Sequence, residues 1–216
     1  DGSLKWQFYT EGPVRLAPTV DNGRVYVGSD DGYVYCLDAD TGNLVWKQLL
    51  GPRDRRVPGN GRMASLWAVR TGVVVFDGVA YCCGGVFPSE RVYVCALANG
   101  EFLWKTPLDD YPAQGYLLAS PSRVYVTTGR DRPLVFDRAT GERLFQVSGG
   151  VGGTYALISG DTFLYGPSKT GQMSAFTEGE RDNIASFDSN HMILTPQMAY
   201  LHTATELTAL DRKRYI

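Results

Sequence analysis

Apolar and polar positions alternate along this chain in short runs, as in Val25-Tyr26-Val27 and Tyr33-Val34-Tyr35-Cys36-Leu37, each closed by turn residues. A period of two over so few residues marks β-strands. Asp30-Asp31-Gly32 and Asp38-Ala39-Asp40-Thr41-Gly42 supply the positive φ and the side-chain caps of the tight turns between them. Leu44-Val45-Trp46 makes the third strand of a meander, and a fourth is required before the sheet can bury both faces.

Weaker copies of this unit follow. Tyr81, Tyr125, Tyr165 and Tyr200 stand where the first copy has Tyr26, and Leu97, Phe136, Phe176 and Leu210 stand where it has Leu37. The spacing is about forty residues apart from one long interval, the period of a four-stranded propeller blade. The expected fold is therefore all-β, a β-propeller of four-stranded antiparallel blades in one domain, with about five blades in the chain.

The blades are expected near 14–49, 72–106, 116–147 and 154–187, with a final one at 191–211. The opening Gly2-Ser3-Leu4-Lys5-Trp6-Gln7-Phe8 matches Gly42-Asn43-Leu44-Val45-Trp46-Lys47-Gln48, so residues 1–9 read as the last strand of a partial blade. The final blade shows three strands before Arg212-Lys213-Arg214 stops the pattern. Two arrangements satisfy this: a five-bladed ring closed by the N-terminal strand, or a fragment of a larger ring. The long interval comes from an inserted loop at 51–70, which must lie across one face.

Tyr35-Cys36-Leu37-Asp38-Ala39-Asp40-Thr41-Gly42-Asn43-Leu44-Val45-Trp46 resembles the repeat of the pyrroloquinoline-quinone (PQQ)-like propellers, A-x-D-x-x-T-G-x-x-x-W. Cys36 replaces its Ala. The third copy keeps Asp137, Thr140 and Gly141 but has Phe145 at the Trp position, and the last keeps Ala209 and Asp211. The Asp and Thr cap a turn that Gly completes, and the Trp wedges between blades. The resemblance covers nearly the whole chain and is closer to the family's non-catalytic scaffold members, which bind proteins, than to its quinoprotein alcohol dehydrogenases. It implies an extracytoplasmic setting, periplasmic or secreted.

Net charge narrows the partners. At −2 over 216 residues there is no basic field for nucleic acid. No apolar run spans a bilayer and no N-terminal signal pattern is present, so the chain as given reads as soluble, without membrane insertion. Cys36, Cys82, Cys83 and Cys95 lie in strand-like runs without C-x-x-C spacing and read as buried thiols. His191 and His202 find no nearby Cys or paired carboxylate to complete a metal set. The pairs Asp30-Asp31 and Asp109-Asp110 read as turns, and Gly149-Gly150-Val151-Gly152-Gly153 as a connection.

The resemblance also makes Cys82-Cys83 conspicuous, because quinoprotein alcohol dehydrogenases carry an adjacent-cysteine disulfide against the quinone. Successive strand residues point to opposite faces, so two unpaired thiols are preferred here. No set of Asp base, metal ligands and Trp floor maps onto the inner segments. PQQ with calcium therefore enters only under an alternative reading as a dehydrogenase fragment, and no cofactor is otherwise expected.

Two groups of binding residues are expected. Arg15, Arg70, Gln114, Tyr155 and His191 open successive inner strands, where a propeller brings distant residues toward its axis; together they suit a carboxylate or acidic peptide. Arg53, Arg55, Arg56, Arg62 and Trp67 in the inserted loop combine cations with an aromatic, as interaction surfaces do. The chain thus reads as a non-catalytic binding or scaffold module for a protein or small anionic ligand held on one ring face, with self-association if the ring is incomplete. A lectin-like sugar binder, using Trp67 and Tyr116, is a further alternative.

Overall fold

The computed structural model describes residues 2–59, 61–86, 91–109, 111–149, 152–153, 155–160, 162–166, 171–177 and 180–212. The first sheet is a meander of β1 (Thr19–Asp21), β2 (Arg24–Gly28), β3 (Tyr33–Asp38) and β4 (Leu44–Leu49). A hairpin of β5 (Arg56–Gly59) and β6 (Arg62–Ser65) then departs from the repeat. The second sheet holds β7 (Val74–Phe76), β8 (Val79–Gly84), β9 (Val92–Ala98) and β10 (Glu101–Leu108). The third holds β11 (Leu117–Ala119), β12 (Arg123–Val126), β13 (Leu134–Asp137) and β14 (Arg143–Gln146). β15 (Tyr155–Ser159), β16 (Thr162–Gly166), β17 (Gln172–Thr177) and β18 (Asn183–Asp188) form the fourth, and β19 (His191–Leu194), β20 (Met198–His202) and β21 (Leu207–Asp211) form a three-stranded fifth.

Turn chemistry sets these meanders. Asn22-Gly23, Asp77-Gly78 and Asn99-Gly100 place both central residues at positive φ, which matches the twist of the strands they join. In the first sheet Asp38 Oδ1 accepts from Asp40 N, Thr41 N and Thr41 Oγ1 at 3.0–3.1 Å. Asp137 repeats the arrangement with Ala139 N, Thr140 N and Thr140 Oγ1 at 2.9–3.0 Å. These bonds from the Thr backbone and hydroxyl hold both carboxyls below the usual carboxylate range.

Alternation within each middle strand sends successive side chains to opposite neighbours. Ala80 and Cys82 join the core shared with the first sheet, while Tyr81 and Cys83 join the one shared with the third. Tyr125 and Val135 face the fourth sheet with Phe163, Tyr165 and Phe176. Phe136, Phe163 and Phe176 are fully buried, and each such side chain stabilises by roughly 1.5–3 kcal/mol relative to exposure. The cores are therefore layers between blades rather than one central mass.

Every four-stranded sheet carries a register shift in its outer pair. The skipped residues are Val45, Leu103, Leu144 and Ile184, each immediately before the wedge position held by Trp46, Trp104, Phe145 and Ala185. Such a bulge sharpens the local twist and aims the next side chain at the following blade. Repeat spacing alone did not reveal it.

The N-terminal segment departs from the strand expected at residues 1–9. Residues 2–10 make no strand, because no ladder partner lies beside them among the described residues. Trp6 and Phe8 instead cover Val25, Val27, Tyr35 and Leu37 of the first sheet. The segment does not pair with β21, whose ladder partner is β20, so the sheets do not close into a five-bladed ring, the first of the two arrangements that the sequence left open.

Candidate functional site

The inner edges of successive sheets lie side by side, linked by a parallel bridge between Thr71 and Gly115. Into this edge project the residues that precede the inner strands. The inserted segment locks the first part of it: Ser65 N donates to Asp30 O at 2.8 Å, Val69 N to Ser29 O at 3.0 Å, and Gly85 N to Ala68 O at 3.1 Å. The loop thus ties the first sheet's β2–β3 turn to the second sheet, and contains a hairpin of its own.

Asp30 is the organising group. Its side chain is 1% exposed and accepts from Arg15 Nε at 2.7 Å, Arg15 Nη2 at 2.6 Å and Arg70 Nε at 3.2 Å. Burial pushes its carboxyl up, but the hydrogen bonds and charges of the two arginines outweigh that and hold it low. Neighbouring Asp31 takes a different set, accepting from Tyr35 Oη at 2.6 Å, Tyr33 N at 3.0 Å and Glu11 N at 3.0 Å. The Asp30-Asp31 pair does sit in a turn, but it also anchors a polar site that turn chemistry alone does not announce.

Two adjoining cavities share Arg70. One, of about 340 Å³, is lined by Arg15, Asp30, Arg62 and Arg70. The other, of about 490 Å³, is lined by Arg70, Ala113, Gln114 and Arg130. Arg62 and Arg130 make no ion pair among the described residues. Among the described residues that line them, four guanidinium groups against one buried carboxylate make the cavity walls cationic although the chain is acidic overall.

The five residues expected at the axis do not converge on one point. Arg15, Arg70 and Gln114 line these cavities, whereas Tyr155 and His191 pack against each other, ring centroids 5.9 Å apart, with Tyr116 on the other side of Tyr155 at 6.2 Å. Tyr155 Oη donates to Met192 O at 2.5 Å. Arg130 was missed because it follows a strand instead of opening one, and Asp30 because its partners lie 15 and 40 positions away.

The inserted loop divides differently from its composition. Trp67 is 1% exposed and donates Nε1 to Arg91 O at 3.1 Å, its indole lying on Gly51. It is an internal wedge and not a surface aromatic, which removes it from both the expected interaction surface and a sugar platform. Arg56 is engaged by Glu11 at 2.6 Å and Asp54 at 3.3 Å, Arg53 and Arg55 are exposed, and Arg62 lines the smaller of the two cavities.

Cys82 and Cys83 are free thiols enclosed in the two cores on either side of β8. Burial raises both, and it pushes Cys95 up to about 12. They do not border either cavity, and the one carboxylate that does among the described residues is held by two arginines. This donor set does not fit a calcium–quinone pair. Of the other motifs, Asp109 pairs with Arg91 at 3.2 Å, while Asp110, positions 150–151 of the Gly-rich connection and Lys213-Arg214 lie outside the described residues.

Comparison with known proteins agrees with this architecture. A family model described as outer membrane protein assembly factor BamB matches residues 1–214. The chain is 26% identical over 153 residues to outer membrane protein assembly factor BamB of Yersinia pestis, covering 68% of this chain and 36% of that protein. It is 25% identical over 201 residues to the protein of that name from Kangiella koreensis, covering 86% and 49%. The crystal structure of BamB from Moraxella catarrhalis superposes with a TM-score of 0.69 at 18% identity, over 96% of this chain and 63% of that one. The chain thus spans between about a third and a half of these curated relatives.

Proposed function

Since the chain belongs to the family described as outer membrane protein assembly factor BamB, we propose that it is a non-catalytic propeller scaffold that holds an acidic segment of a partner protein along its inner sheet edge. The observation that carries this reading is the group Arg15, Arg62, Arg70 and Arg130 around two adjoining cavities, with Asp30 as the one carboxylate among the described lining residues. Asp30 orients Arg15 and Arg70 before any ligand arrives, so less side-chain entropy is lost on binding. Arg62 and Arg130, without an ion pair among the described residues, can make charge-assisted bonds to carboxylates. Gln114 adds an amide at the second cavity.

The relatives' names set their work at the outer membrane, which supports an extracytoplasmic setting for this chain as well. A fluorescent, capped hexaglutamate peptide tests the binding reading directly. It is expected to bind saturably and to weaken as salt rises, while hexaglutamine and hexalysine peptides do not bind. Equal binding of the glutamine and glutamate peptides would overturn it.

A further inference from the structure

The chain has two histidines, and the fold sets them face to face. His191 and His202 are eleven residues apart yet directly opposed in the β19–β20 ladder, and their ring centroids stand 6.0 Å apart at an interplanar angle of 31°. Directly opposed residues on antiparallel strands hold their Cβ atoms about 4.5–5.5 Å apart. Two imidazoles sharing one ion, each with a metal–nitrogen bond of about 2.0–2.1 Å, place their ring centres roughly 5–6 Å apart. The observed pair lies at that separation.

The backbone beneath the pair is tied down. Ser189, 1% exposed, donates Oγ to His191 O at 2.6 Å and to His202 O at 3.4 Å, and Asn190 N donates to His202 O at 2.7 Å. Tyr155 meets the His191 ring edge to face. Both imidazoles are exposed, so an ion reaches them without opening the fold.

We propose that His191 and His202 chelate a borderline divalent transition metal, Zn²⁺, Ni²⁺ or Cu²⁺, the class for which imidazole is a suited ligand. Among the described residues no third His, Cys, Asp or Glu completes the set, so water fills the remaining positions and the ion exchanges readily. This site lies on the fifth sheet, apart from the arginine-lined cavities, and does not depend on the acidic-segment reading.

Untagged chain titrated with zinc chloride at neutral pH in a calorimeter tests it. One equivalent is expected to bind, and His191→Ala or His202→Ala is expected to weaken binding about tenfold or more, because the second imidazole otherwise binds intramolecularly. In the unsubstituted chain, which needs no variant to fold, the two imidazole Cε1–H resonances are expected to shift together and saturate at one equivalent. Absence of saturable binding at millimolar zinc, unchanged affinity in both folded variants, or movement of one resonance alone would overturn the proposal.

Discussion

The indole of Trp104 lies on the Cα of Gly141 in the next sheet and donates Nε1 to Arg138 O at 3.0 Å. Trp6 does the same two steps earlier, on Gly42, with Nε1 on Ala39 O at 2.9 Å. The Trp and the Gly of the repeat are therefore one contact shared between consecutive blades. The Gly serves twice, supplying positive φ to the turn and a bare Cα to the neighbouring ring.

Those two demands on Gly141 can be separated. Gly141 and Gly23 have nearly the same φ, 73° and 71°, but a Cβ at Gly23 meets nothing within 4 Å while one at Gly141 overlaps the Trp104 indole. Gly23→Ala is expected to cost about 1 kcal/mol from left-handed backbone alone. Gly141→Ala should lose a further 1–3 kcal/mol or so from overpacking. Urea unfolding of both variants measures the difference, and equal losses would contradict the shared contact.

At the fourth sheet the wedge position is Ala185, and a cavity of about 150 Å³ opens there against the fifth, lined by Leu164, Ala175, Phe187, Met192, Ala199 and Leu210 among others. Ala185→Phe, following the third sheet's Phe145, is expected to fill part of it and to raise stability by about 0.5–2 kcal/mol. The thermal midpoint is the readout. A fall in the midpoint would mean that the fifth sheet cannot accommodate a ring in this space.

Much of this architecture was legible from a few residue types. Tyr26, Tyr81 and Tyr125 marked the second strand of each sheet, and Asp38, Thr41 and Gly42 marked the turn whose side-chain bonds the structure displays. These are local signals, carried by residues within a few positions of each other. The site was only half legible. Strand order predicts that Arg15 and Arg70 lie on the inner edge, but their joint hold on Asp30 spans three separate segments. Composition promoted Trp67 to the surface because spacing cannot distinguish a ring that packs outward from one that lies on Gly51. The histidine pair escaped for a related reason, since it depends on hairpin register and not on motif spacing.

Asp30 makes the fold sensitive to acid in a definite direction. Its carboxyl is held below the ordinary value of 3.8 in the folded chain, so its contribution is full above the unfolded-state value and is lost as pH falls through the folded one. Asp30→Asn keeps an acceptor but not the charge, and is expected to destabilise by about 1–3 kcal/mol at neutral pH. The deficit should shrink at lower pH as the parent protonates. Denaturation series at pH values on both sides of the carboxylate range check this, and a deficit that grows on acidification would reverse the assigned sign.

The arginines should separate stability from binding. Arg70 shares Asp30 with Arg15, so Arg70→Ala removes one of two partners from a carboxylate that is 1% exposed, and both folding stability and hexaglutamate binding are expected to fall. Arg62 and Arg130 line the cavities without an ion pair among the described residues. Replacing either by Ala is expected to leave stability within about 0.5 kcal/mol while weakening peptide binding roughly threefold to tenfold and flattening its salt dependence. Fluorescence anisotropy across a salt series, paired with unfolding curves, reads both quantities on the same samples. If Arg62→Ala and Arg130→Ala bind the peptide as the parent does, the cationic edge is a structural consequence of holding Asp30, and the acidic-segment reading fails.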